Sequence, residues 1–321
     1  MTTAGMRVAV ASRSFSQHAQ LVAELRGRYP DAQLNAAGIA LSGHTLVDFL
    51  RGCDGAIIAL ERIDDAVLDS LPELRVISKY GVGLDGVDLE AMERRGVMLG
   101  WSPGVNRISV AELTLSAMIA LLHRVPEATR EVAAGKWRQI RGRQLSGRTV
   151  GVIGCGHVGQ EVARLCRAFG CRVLAYDIRD YDTFYRFYGI EPVSLTRLID
   201  EADVVTLHVP LDPSTRNLLN ADLVARMRPG AVLLNMARGG VVDEQQVKRR
   251  LLDGTLMGAA FDVFADEPPS DMELVSLPTV LVTPHIGGST EEAILAMGRA
   301  AIDGLVMAKP VAEWRQQGRV A

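Results

Sequence analysis

The stretch RTVGVIGCGHVGQEVARLCRAFGCRVLAYD, residues 148–177, constrains this chain more than any other. It reads as a strand over 149–153, a glycine turn, a helix over 158–169 and a second strand ending at Asp177. A helix of that length between two short apolar strands returns the chain to the same edge of a sheet, so the strands pair in parallel. The same rhythm runs along the rest of the sequence. Short apolar runs at 7–11, 56–60, 75–78, 97–99, 204–209, 232–235, 257–262 and 280–283 alternate with helix-like stretches such as 243–252 and 290–307. The expectation is an α/β protein with parallel sheets covered by helices on both faces.

The 321 residues suit two domains at roughly 150 residues each. A break in rhythm falls at GWSPGVN, residues 100–106, and a second at residues 284–289. These predict a central domain over 100–285 inserted into one built from 1–99 and 286–321. After the first break, residues 110–122 are apolar on nearly every side, as in a helix buried in a large core or against a partner subunit.

With 48% hydrophobic, 23% charged and 5% aromatic residues, the composition excludes a disordered, collagenous or coiled-coil chain. Thirty-five Lys and Arg against 38 Asp and Glu leave a net charge of −3, so no nucleic-acid partner is expected. Cys53, Cys155, Cys166 and Cys171 form no CxxC pair and no zinc spacing, which predicts buried thiols in a reducing compartment and no metal. The N-terminal apolar stretch is too short for a signal segment, and residues 110–122 contain Glu112 and fall short of a membrane span. A soluble, cytoplasmic protein without membrane contact is the expectation.

Gly154, Gly156 and Gly159 stand in the order G-x-G-x-x-G. Among 31 glycines that string alone says little, and the strand before it and helix after it carry the inference. Gly154 permits a tight turn, Gly156 lets the backbone approach a pyrophosphate, and Gly159 allows helix and strand to pack closely. The helix start then offers free N–H groups to the anion. Asp177, 23 residues after Gly154, would accept hydrogen bonds from ribose hydroxyls and repel a 2′-phosphate, which favours NAD over NADP. Arg179 lies close enough to soften that preference. His157 reads as a solvent-side or packing residue.

Three polar residues follow late strands, at the sheet edge where α/β folds bind ligands. They are Arg238 in NMARGGVVDE, Glu267 in FDVFADEPP and His285 in VTPHIGGST. Hydride exchange with a hydroxy acid requires a cation for the carboxylate and a group that moves the hydroxyl proton near neutral pH. Arg238 suits the first task and His285 the second, with a neighbouring Glu267 favouring the imidazolium. Each also has a plain reading: a surface ion-pair member, a solvated loop acid, a satisfied histidine ahead of a helix. Spacing alone does not bring Glu267 and His285 into contact.

From about residue 74 to 307 the chain resembles the D-isomer-specific 2-hydroxyacid dehydrogenase family, most closely its phosphoglycerate-dehydrogenase-like members. The resemblance rests on VIGCGHVG with Asp177, LHVPLDPSTRN, NMARGGVVDE, FDVFADEPP and VTPHIGGST, in that order. It implies two doubly wound parallel-sheet domains, a Rossmann NAD domain inserted into a flavodoxin-like substrate domain, with a cleft that closes on cofactor binding. It implies that Arg238, Glu267 and His285 are catalytic. Gly154, Gly156, His157, Val158, Gly159, Asp177, His208, Val209, Pro210, Thr215, Ala237, Asp262, His285 and Gly287 would contact NAD, with Asp262 bonded to the nicotinamide carboxamide. Val82 and Gly83 of KYGVGLDGVD would hold the substrate carboxylate through their amides, with Asn106 nearby. A homodimer through the NAD domain is also implied.

Lys79 and Arg62 are the cations that would face a phosphate or second acidic group, against the plain reading of solvated side chains. Residues 57–61 lack the Val-Arg-Ser segment of phosphoglycerate dehydrogenases. The chain stops at Ala321, so feedback by serine through an appended domain is not expected. The expected substrate is an anionic D-2-hydroxy acid such as 3-phosphoglycerate. A glyoxylate or hydroxypyruvate reductase, or a phosphonate hydroxy-acid dehydrogenase, stays open. Formate dehydrogenase is disfavoured because Glu267 is present. An NAD-sensing binding protein resembling transcriptional corepressors is the alternative from another class.

Overall fold

The computed structural model describes residues 5–317. They fall into two compact units: the described parts of Met1–Asn106 and Glu291–Ala321 form one, and Arg107–Thr290 forms the other. Both borders lie a few residues beyond the expected 99 and 285. The reason is that each coincides with the start of a helix, Arg107–Leu122 and Glu291–Met307, and not with the end of a strand.

The first unit is a five-stranded sheet of β1 (Val8–Val10), β2 (Gln33–Leu34), β3 (Gly55–Ile58), β4 (Val76–Lys79) and β5 (Met98–Gly100). All neighbours pair in parallel in the order β2-β1-β3-β4-β5, which is the flavodoxin-like order. Alternate residues feed opposite faces: Val8, Val10, Ile57 and Val76 enter one core, and Ala9, Ala56, Ile58 and Ile77 enter the other. The helix Glu291–Met307 closes one face. A Cβ on Gly100 would come within 2.3 Å of the Gly304 carbonyl oxygen, so strand and helix meet backbone to backbone. The Ser78 hydroxyl adds a bond to the Ala301 carbonyl at 2.6 Å. That packing ties the end of the chain to its first third.

The second unit contains β6 (Thr149–Ile153), β7 (Arg172–Tyr176), β8 (Glu191–Pro192), β9 (Val204–Leu207), β10 (Val232–Asn235), β11 (Gly258–Phe261) and β12 (Val280–Val282). Its seven strands are parallel in the order β12-β11-β10-β9-β6-β7-β8. The order runs outward in both directions from β6, the dinucleotide-binding arrangement with its switch point between β6 and β9. Val232 and Leu234 pack on one face of the sheet and Leu233 on the other. The helix Arg107–Leu122 buries Ala111, Thr114, Ala117, Met118, Leu121 and Leu122 in this unit's core. Ile108 on the same helix stays 54% exposed. Among the described residues no single helix is long and apolar enough to cross a membrane.

Candidate active site

The glycine turn follows β6 at the switch point. Gly154 has φ +90°, and a Cβ there would lie 2.7 Å from the His208 carbonyl oxygen, in the loop after β9. A Cβ on Gly159 would strike the Gly154 oxygen at 1.9 Å, so the helix His157–Ala168 sits directly on the turn. At Gly156 a Cβ would meet nothing within 4 Å, and this residue caps the helix without a side-chain bond to it. The turn is therefore open beside the start of the helix, as a pyrophosphate cradle requires. The Asp177 carboxylate accepts from Cys155 N at 2.6 Å and Arg179 N at 2.8 Å. It thereby pins the turn while keeping lone pairs for ribose hydroxyls. These residues fit a bound NAD.

Other residues expected at the cofactor play different local parts. His157 is exposed at the helix start and Val158 half-buried behind it. The His208 ring faces inward, with Nε2 3.0 Å from the Thr206 hydroxyl, and its buried Nδ1 has no partner. Burial holds its pKa down at about 3, so the ring is neutral. Thr215 donates its hydroxyl to the Pro210 carbonyl at 2.7 Å, closing the loop after Val209. Cys155 lies inside the glycine turn, but burial pushes its thiol up to about 12, which leaves it unreactive. The four cysteines are all free and buried.

Arg238, Glu267 and His285 project from the loops after the three neighbouring strands β10, β11 and β12. His285 Nδ1 is 2.9 Å from Glu267 Oε2, so the two residues do meet. Their side chains remain 44% and 40% exposed, open to an incoming ligand. Glu267 Oε1 accepts the Phe264 amide hydrogen at 3.2 Å, folding its own loop. Half-buried Arg238 donates Nη1 to the Ala237 carbonyl at 2.7 Å. Asp262 is 4% exposed and accepts from the Thr283 hydroxyl at 2.5 Å and from Ile286 N and Gly287 N at 2.8 Å each. Its carboxylate holds the His285 loop, a role the sequence did not point to. Asn235 was also missed. Fully buried at the end of β10, it accepts from Ala237 N at 3.2 Å and donates to the Arg238 carbonyl at 2.9 Å, shaping the arginine loop. A polar side chain at the C-terminal end of an otherwise apolar strand was the available signal. Among the described residues no cluster of three or more His, Cys, Asp or Glu could hold a metal ion.

In the first unit, Val82 and Gly83 follow β4 in a loop that Trp101 holds by donating Nε1–H to the Val82 carbonyl at 3.0 Å. Among the described residues the amide hydrogens of Val82 and Gly83 go to no protein acceptor, which leaves them for an anion. Asn106 is buried and its Oδ1 has no partner. Lys79 is only 8% exposed, with its ammonium drawn onto the Ala59 carbonyl of the loop after β3. Arg62 is the opposite case: its side chain is 80% exposed, 3.6 Å from Asp64. So exposed an ion pair contributes little to stability.

Residues 115–287 match the family model described as D-isomer specific 2-hydroxyacid dehydrogenase, NAD binding domain. The chain is 37% identical over 262 residues to a D-3-phosphoglycerate dehydrogenase of Methanocaldococcus jannaschii, covering 80% of this chain and 50% of that protein. It is 38% identical over 237 residues to a hydroxypyruvate reductase of Thermotoga maritima, covering 72% and 76%. Among solved structures, the TT0316 protein of Thermus thermophilus superposes with a TM-score of 0.85 at 36% identity, covering 96% of this chain and 97% of that one. The chain thus spans about half the length of the phosphoglycerate dehydrogenase it matches. Its second unit is an NAD-binding domain, and the chain belongs to the D-isomer specific 2-hydroxyacid dehydrogenase family.

Proposed function

We propose that the protein catalyses NAD-dependent hydride exchange between a small anionic D-2-hydroxy acid and its 2-oxo acid, with 3-phosphoglycerate as the hydroxy acid. One observation carries this reading: His285 Nδ1 is held 2.9 Å from Glu267 Oε2 in a unit that binds NAD. An ionised carboxylate only accepts, so Nδ1 carries the hydrogen and Nε2 is the atom that exchanges a proton with substrate. In oxidation, Nε2 takes the hydroxyl proton, and Glu267 stabilises the imidazolium that results. In reduction, the imidazolium returns that proton to the carbonyl oxygen as negative charge grows on it. Bound NAD supplies the hydride acceptor or donor. Arg238 holds the substrate carboxylate through its guanidinium fork.

The protein works as a homodimer through its NAD-binding unit, without nucleic acid or membrane. Support comes from the exposed Ile108, Val125, Val132 and Trp137, the last 92% exposed. Free cysteines throughout accord with a cytoplasmic setting.

A second substrate reading, hydroxypyruvate or glyoxylate, has specific support. Lys79 is committed to Ala59 and Arg62 is solvated, so neither is a ready phosphate ligand. The hydroxypyruvate reductase is also matched over 76% of its length. Absorbance at 340 nm with NADH and phosphohydroxypyruvate, hydroxypyruvate, glyoxylate, 2-oxoglutarate or a phosphonate analogue decides. A kcat/KM at least about tenfold higher for phosphohydroxypyruvate supports the first reading, and the reverse order supports the second. No turnover with any acid would leave an NAD-sensing binding protein.

A further inference from the structure

Glu244 opens the helix Glu244–Leu252, where an acid ordinarily serves the free amides of its own first turn. Asp243 already fills that role, accepting from Gln246 N at 2.9 Å. Glu244 reaches elsewhere: its Oε1 accepts the amide hydrogen of Ala265 at 2.9 Å, in the loop after β11. Ala265 stands two residues before Glu267. The Arg238 and Glu267 loops touch at the same place, since a Cβ on Gly239 would lie 1.7 Å from the Phe264 oxygen and 2.4 Å from Ala265 N. Glu244 is therefore the side-chain tie across a backbone contact between the two loops.

Its surroundings do not favour a carboxylate. Burial raises the pKa of Glu244, and Asp266, Asp271 and Asp243 add to the rise, while the Ala265 bond opposes it. Lys248, one turn along the same helix, is paired with Asp271 and Glu273. The attraction of a helix start does not account for a half-buried acid among three others, whereas the Ala265 bond does.

We propose that Glu244 is a positioning residue for the acid–base pair. By accepting from Ala265 it fixes residues 264–267, so that Glu267 reaches His285. It acts only through Glu267 and touches no reacting atom. The proposal rests on reading His285 as the proton-exchanging group, and its test separates the two.

The full chain would be compared with E244A, E244Q and E244D for kcat, KM, NADH binding and the imidazole nitrogen signals of 15N-histidine-labelled protein. E244A should lower kcat about ten- to a hundredfold, as a misplaced catalytic group does, and leave KM and NADH binding nearly unchanged. E244Q keeps an oxygen that can accept from Ala265 and should restore most of the rate. E244D, one methylene short, should behave as E244A does, and it carries the comparison if E244A does not fold. The hydrogen-bonded Nδ1–H signal of His285 should persist in E244Q and broaden or shift in E244A. Equal impairment of E244A and E244Q, or an unaltered imidazole signal in E244A, overturns the proposal. If the parent protein turns over no acid, the functional reading falls and the imidazole signal alone decides the role of Glu244.

Discussion

Asp262 and His285 are joined through the backbone and again through the residues that follow. The His285 amide hydrogen is donated to the Asp262 carbonyl at 2.9 Å, and the Asp262 carboxylate accepts from the next two amides at 2.8 Å. His285 has φ 55°, in the left-handed region that a side chain with a Cβ rarely occupies. That conformation costs roughly 1–2 kcal/mol. The Asp262 bonds offset it and keep the imidazole beside Glu267.

Asp262→Ala leaves the Ile286 and Gly287 amides without their acceptor. It should destabilise the protein by about 1–3 kcal/mol and lower kcat as well. Thermal unfolding and steady-state rates check both effects, and an unchanged kcat would mean that the loop holds its shape without this carboxylate.

His285→Ala should reduce turnover by about a hundred- to ten-thousandfold, the usual worth of a positioned acid–base group. NADH binding, followed by fluorescence, should be nearly unaffected. A joint loss of both would identify a structural histidine.

Asp177→Ala removes a carboxylate that pins the glycine turn and is placed for ribose hydroxyls. NADH binding should weaken about tenfold, equivalent to one charge-assisted bond. NADPH should weaken less, because the charge that repels a 2′-phosphate is gone. Titration with both nucleotides measures the ratio, and an unchanged ratio rejects this role.

His208 makes stability depend on pH. Its folded pKa of about 3 lies below its ordinary 6.5, so in that interval the unfolded chain binds a proton that the folded protein refuses. Its contribution is complete above pH 6.5 and falls away as the pH drops toward 3. Within the interval the slope approaches about 1.4 kcal/mol per pH unit. His208→Gln should narrow the drop in Tm between about pH 7 and about pH 5, since histidine is the group that changes charge there. Equal drops in the two proteins would show that the ring titrates normally.

The strand rhythm was legible because strands buried on both faces read as short continuous apolar runs, which are local. All ten strands expected from it are present within a few residues. The two it did not yield, Gln33–Leu34 and Glu191–Pro192, are two-residue strands at sheet edges. Each makes one pairing and is exposed or half-buried, so neither needs the apolar run that marks a central strand.

The sequence by itself determined the parallel α/β class, the glycine turn with Asp177, and, through its motifs, the three residues Arg238, Glu267 and His285. Those are properties of contiguous stretches. Tertiary structure alone decided that Glu267 meets His285, that Asp262, Asn235 and Glu244 support the loops around them, and that Lys79 turns onto Ala59 while Arg62 faces solvent. Each of those outcomes depends on which loops the order β12-β11-β10 or β3-β4 sets side by side, because hydrogen bonds at 2.5–3.2 Å form between residues that only sheet register brings together.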